Sequence, residues 1–123
     1  MSSNLNSLRD DLIASLHSDQ IVASRMSGRL GDKGFIRDLV EVCKPFDAYT
    51  NDPRMEAAYY LSLAPIGSLL AVASDLESLL RLPVDGETMD SNISYHLVRC
   101  LGRLVAEGGF SPSGDVAHMV EAR

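Results

Sequence analysis

Apolar residues recur at helical spacing along most of the chain. In NLNSLRDDLIASLH, Leu5, Leu8, Leu12 and Leu16 return every three or four residues and would line one side of a helix over residues 4–17. GFIRDLVEVC offers Phe35, Ile36, Leu39, Val40 and Cys43 to one face, and GSLLAVASDLESLL offers Leu69, Leu70, Val72, Ala73, Leu76, Leu79 and Leu80. The pattern predicts an all-α chain of about seven helices.

Three segments align when Asp19, Asp52 and Asp90 are placed in register: DQIVASRMSGRLG, DPRMEAAYYLSLA and DSNISYHLVRCLG. Three residues after the Asp stands Val22, Met55 or Ile93. Four further on stands Met26, Tyr59 or Leu97, and four beyond that Leu30, Leu63 or Leu101. Steps of four drift slowly around a helix of 3.6 residues per turn, so each triplet forms one apolar stripe, expected to face the core. Each Asp is placed to accept from the free N–H groups of a first helical turn, and Pro53 suits the first helical position. A second helix follows the first and second copies. The third copy runs through GRLVAEGG, is expected to break at Gly108, Gly109 and Pro112, and restarts at Ser113 as a short GDVAHMVEA helix. The resulting expectation is one domain, residues 1–123, with a leading helix at 4–17 and helix pairs at about 19–46, 52–82 and 90–122.

The run Asp52, Pro53, Ala57, Ala58, Leu61, Leu63 or Ala64 resembles the first helix of a HEAT-like repeat in its short bacterial form; Asp19–Gly31 and Asp90–Gly102 match it more weakly. The copies depart from that pattern in their Ala and Gly positions, and the third pair is irregular. The resemblance implies a short HEAT-like α-solenoid of helical hairpins, whose second helices line a concave surface. A plain antiparallel bundle is the alternative. The ankyrin TPLH signature and the Trp, Gly and Tyr pattern of tetratricopeptide repeats are both missing.

Charge changes the picture more than composition does. Of 123 residues 46% are apolar, enough for a core, and the formal net charge is −6. The excess is local. Residues 32–90 hold eleven acids against five bases, whereas the flanking segments are balanced. Such a middle repels phosphate backbones and attracts a basic partner, which argues against nucleic-acid binding. MSSNLNSLRDD carries no signal-peptide pattern, no run reaches the ~20 apolar residues of a membrane span, and Cys43 and Cys100 read as two buried thiols; a cytoplasmic protein is expected.

Signals for chemistry are weak. GRLGDKG lacks both GxGxxG and a GK[ST] ending and reads as a turn between helices. His96 and Cys100 share a helix face but supply only two potential ligands, His17 and His118 lie far off in sequence, and no GxSxG elbow exists; no metal, cofactor or catalytic residue is expected. Tyr59, aligned with Met26 and Leu97, is expected in the core, and Tyr60 at the edge of the stripe, half exposed. Asp38 and Glu41 fall on one second helix, and Asp75 and Glu77 on the next. In a HEAT-like stack these acids would share a groove.

The leading expectation is a non-catalytic protein-binding module. Small acidic helical proteins of this size are similar in type, not in motif, to bacterial immunity proteins, which implies an inhibitor that occludes a basic partner such as a nuclease toxin. Asp38, Glu41, Asp75 and Glu77 would steer association and Tyr60 would supply buried contact. An adaptor or scaffold subunit is the first alternative, and an enzyme with a site across VDGETMDS the second.

Overall fold

The computed structural model describes residues 2–44, 52–80, 91–112 and 117. These form seven helices: α1 (Ser2–Leu16), α2 (Gln20–Ser27), α3 (Lys33–Val42), α4 (Asp52–Leu63), α5 (Ile66–Leu70), α6 (Ala73–Leu80) and α7 (Ser91–Gly108). No strand occurs among the described residues, and no helix there is long and apolar enough to cross a membrane. The fold is all-α. The expected GDVAHMVEA helix, apart from Ala117, and the loop VDGETMDS, apart from Ser91, lie outside the described residues.

Helix ends follow local chemistry. The Asp19 carboxylate accepts from the N–H groups of Ile21 and Val22 at the start of α2, and Asp32 does the same for Gly34 and Phe35 at the start of α3. α7 stops where the glycines stand. Gly109 takes a left-handed φ of 71°, and Phe110 N–H reaches back to the Leu104 carbonyl at 3.1 Å, so the chain turns off the helix without stranding its last carbonyls. α1 ends in the same way at a residue with a side chain: Ser18 has φ 74°, and Asp19 N–H bonds the Ala14 carbonyl at 3.0 Å.

The segment expected as one helix after the second copy is two. Pro65 is extended and opens α5, accepting from Ser68 and Leu69; at Val72 the ladder tightens, with Val72 N–H bonding Leu69 rather than the residue four back, and α6 then resumes through Leu76 N–H to the Val72 carbonyl. Val72, Ala73, Leu76, Leu79 and Leu80 still face inward as the periodicity requires, while Leu70 is turned outward.

α4 sits at the centre, packed against α7, α1 and α3; α7 also covers α5 and α6, and α1 also meets α2 and α3. α4 and α7 run in the same direction, because Tyr59 faces His96 and, further along both helices, Arg103 donates to the carbonyls of Ser62 and Ala64 at 3.0 and 2.7 Å. Those two carbonyls belong to the end of α4, where a cation offsets the negative end of the helix dipole. Arg54, nearly fully buried, does the same for α3 by donating Nε–H to the Cys43 carbonyl at 2.9 Å. Cys43 and Cys100 are both buried free thiols.

The core follows the sequence pattern in α1 and α3, where Leu8, Leu12, Phe35, Ile36, Leu39, Val40 and Cys43 are buried. In α7, Ile93, Leu97 and Leu101 are fully inside; in α2 Met26 is buried with Val22 packed against the core, and Leu30 is buried in the turn that follows. The aligned stripe of α4 is reversed. Ala57, Ala58, Leu61 and Ala64 fill the core, whereas Tyr59 is 40% and Leu63 48% exposed and Met55 is half-buried. Residues two apart point about 200° apart on a helix, so a core built on Ala57 and Leu61 sends Tyr59 outward. Tyr60 is the buried tyrosine, at 3% exposure, which corrects its expected place at a half-exposed edge.

Two leucines of α4 separate the registers. Leu61→Ala should lower unfolding stability by about 3 kcal/mol, and Leu63→Ala by less than about 0.5 kcal/mol, read from urea midpoints. The stripe implied by the repeat alignment requires the reverse order.

Candidate functional site

The residues expected to form an acidic groove are not gathered on one face. Asp38 and Glu41 are exposed on α3, and Glu41 is paired with Lys44 at 2.8 Å. Asp38 borders a cleft of about 280 Å³ that also contains Asp11, Arg29 and Phe35, with the Arg29 guanidinium 4.3 Å from the Phe35 ring centre. Asp75 is exposed on α6, but Glu77, two residues on and hence on the opposite side, is buried. α3 packs against α1, α4 and α5, while α6 packs against α7, so the two acidic helices belong to different parts of the bundle. Glu77 and Tyr60 both point inward, away from any groove.

What the fold does assemble is a cleft of about 250 Å³ between the end of α1 and the first halves of α4 and α7, lined by Leu16, Met55, Glu56, Tyr59 and His96. Its polar side is built by burial of Tyr60. A hydroxyl taken out of water needs a partner, and Tyr60 Oη lies 2.5 Å from Ser15 Oγ, itself buried. Ser15 Oγ donates its proton to Glu56 Oε2 at 2.8 Å, so Tyr60 is the donor to Ser15 and a chain of hydrogen bonds runs from the core to the carboxylate. Among the described residues no cation pairs with Glu56.

Burial governs the titration of these groups. It raises the Glu56 carboxyl above its ordinary range, an effect opposed by the Ser15 hydrogen bond. The Tyr60 hydroxyl is also pushed up by burial, with the Ser15 bond opposing and the charges of Glu56 and Tyr59 adding to the rise. His96 goes down, first through burial and then through repulsion by Arg99, which keeps its imidazole neutral at physiological pH. His96 Nδ1 is buried with no hydrogen-bond partner among the described residues.

Aromatic rings continue from the cleft onto the surface. Tyr60 and Tyr59 are 5.5 Å apart between ring centres, Tyr59 and His96 5.7 Å, and His96 and Tyr95 5.3 Å, all edge to face. Tyr95 is 50% exposed. With Met55 and Leu63 the exposed rings make an apolar face along α4 and the adjoining side of α7. Its stripe is visible in the sequence, where the repeat alignment turns it toward the core; Ser15 and Glu56 carry no sequence signal, and His96 stands out only beside Cys100. Cys100 is fully buried, and burial raises its thiol to about 12, partly offset by Arg103 and Arg99. Among the described residues no group of three His, Cys, Asp or Glu side chains is placed to hold a metal ion.

No family model, curated protein or solved structure matches the chain.

The Glu56 shift has a testable sign. Because the folded state holds this proton more tightly than the unfolded chain, charging Glu56 costs stability at pH values above the carboxylate range. Glu56→Gln keeps an acceptor for Ser15 and removes the charge, so its urea midpoint should exceed that of the wild type at neutral pH. The difference should shrink as pH falls through the range in which Glu56 protonates in both states. A variant less stable at neutral pH would mean that the charged hydrogen bond outweighs burial.

Proposed function

We propose that this protein is a non-catalytic protein-binding module, an immunity or inhibitor protein that covers a basic partner such as a nuclease toxin and presents its contact face on a short HEAT-like stack of helices. The observation that carries the reading is the exposed face of Tyr59 and Leu63 on α4 with Tyr95 on α7, bordered by half-buried Met55. Tyrosines offer large, rigid contact area at small entropic cost, with a hydroxyl that tolerates either solvent or a partner, and they are enriched among the residues that dominate binding energy. The surrounding middle of the chain supplies the charge. Its eleven acids against five bases favour a positive surface, and a nuclease must itself be positive where it holds phosphates. Asp38 and Asp75 are the exposed acids that steer such a partner, and Glu41, shared with Lys44, contributes less.

A scaffold role has one observation in its favour. Leu70 and Val105 are exposed, and Leu70 lies against Gly108, one turn beyond Val105 on α7. A second copy of the chain covering this edge would make the protein self-associate through apolar contact that salt barely affects.

The test is capture from the native host with wild-type protein, a Tyr59→Ala, Tyr95→Ala variant and an Asp38→Ala, Asp75→Ala variant, followed by binding kinetics on the purified partner. One basic protein should be recovered and lost by the tyrosine variant. The acid variant should retain it, with an association rate a few-fold slower and less sensitive to salt. Retention of the same proteins by the tyrosine variant would overturn the face, and a salt-independent dimer in light scattering would favour the scaffold.

A further inference from the structure

We infer that the cleft between α1, α4 and α7 receives a lysine side chain of the partner protein, its ammonium group seated beside Tyr59 and His96 and paired with the Glu56 carboxylate. The inference rests on the protein-binding reading above and names the chemistry of one contact within it.

Four features of the cleft argue for this occupant. Glu56 is half-buried and held from behind by Ser15 at 2.8 Å, and it carries negative charge into a partly desolvated place where no described residue supplies a cation. A cation delivered there gains more than one at the open surface. The two rings, 5.7 Å apart between centres, supply π density of the kind that attracts an ammonium group. His96 does not oppose it, because burial and Arg99 keep the imidazole neutral. Leu16 and Met55 complete the walls with apolar surface suited to the methylene stem of lysine, whose charged end alone needs a polar partner.

Lysine fits better than arginine for a geometric reason. A guanidinium prefers both oxygens of a carboxylate, in a fork, and Oε2 of Glu56 has already given one of its two acceptor sites to Ser15. An ammonium is a point charge and needs one oxygen. The hydrogen-bond chain from Tyr60 through Ser15 makes these two positioning residues: they hold the carboxylate at the cleft while making no contact with the ligand.

The probe is N-acetyl-lysine methylamide, titrated into the isotope-labelled full chain and followed by NMR, beside the neutral norleucine and the arginine derivatives. Saturable shifts should appear at Met55, Tyr59 and His96 with the lysine derivative, and binding of the norleucine derivative should be about tenfold weaker or undetectable. Glu56→Gln should weaken the lysine derivative by about tenfold while its spectrum stays dispersed. Tyr59→Leu, at an exposed position that the fold does not need, should weaken it several-fold.

Equal binding of the lysine and norleucine derivatives, tighter binding of the arginine derivative, or an unchanged affinity in Glu56→Gln would each overturn the inference. None of these touches the docking face, which is read separately by loss of the partner from the tyrosine variant. Conversely, lysine-derivative binding in a protein that captures no partner would overturn the assigned source and leave a site for a free alkylammonium compound.

Discussion

Burial of α4 on three sides is the constraint on which the rest of the structure depends. Ala57, Ala58, Leu61 and Ala64 have no exposed surface, and small side chains at three of these four positions let α1, α3 and α7 approach the helix closely. The same packing forces Tyr60 inside. A buried phenol must find a hydrogen bond, and the bond it finds, to Ser15 and through it to Glu56, fixes a carboxylate at the mouth of a cleft. A requirement of the core thus sets the chemistry of the surface beside it. The opposite face of α4, left uncovered by its three neighbours, is where Tyr59 and Leu63 emerge.

Charge is arranged by a related economy. Arg54 lies inside the fold and Arg103 is half-buried, each donating to carbonyls where a helix ends, and Lys44 is spent on Glu41. Arg54 and Lys44 are two of the five bases that stand against eleven acids in the middle of the chain. Glu77 is withdrawn as well, so the acids that remain to project a field include Asp38 on α3 and Asp75 on α6, spread over different helices and not lined along a groove. A dispersed field of this sort affects how often a partner arrives; it does little to hold one in place.

Elements whose faces are sharply divided were legible from sequence. The inward faces of α1 and α3 could be read in outline because their apolar positions favour one side, although Leu5 and Leu16 are only half-buried and Ser15 and Val42 are buried without a signal, and the ends at Asp19 and Gly109 follow from cap chemistry within a few residues. α4 was not, and the reason is in its composition. Met55, Ala57, Ala58, Tyr59, Tyr60, Leu61, Leu63 and Ala64 surround most of the helix, so periodicity selects no face, and the alignment with the third copy transferred the inward stripe of α7 to a helix with different neighbours. The placing of Glu77 failed for a simpler reason: Asp75 and Glu77, two residues apart, cannot share one side of a helix. The cleft was beyond local reading altogether. Ser15, Glu56 and His96 come from three helices and about forty residues separate each from the next, so only the packing of α4 brings them together.

The division of labour between the apolar face and the single carboxylate bears on how such a surface would choose a partner. Exposed tyrosines and leucine bind by area, and area discriminates poorly: many apolar surfaces of similar shape recover much of the same energy. A half-buried carboxylate discriminates by penalty. A partner that covers the cleft without supplying a cation removes water from Glu56 and returns nothing, so its apolar contact is offset by the cost of an unpaired charge. A partner with a cation at that one point avoids the cost and gains a desolvated ion pair. On the proposed reading, then, selectivity resides less in the many acids that give the chain its net charge than in the one acid that the core holds in place, because only there does a mismatch carry a large free-energy consequence.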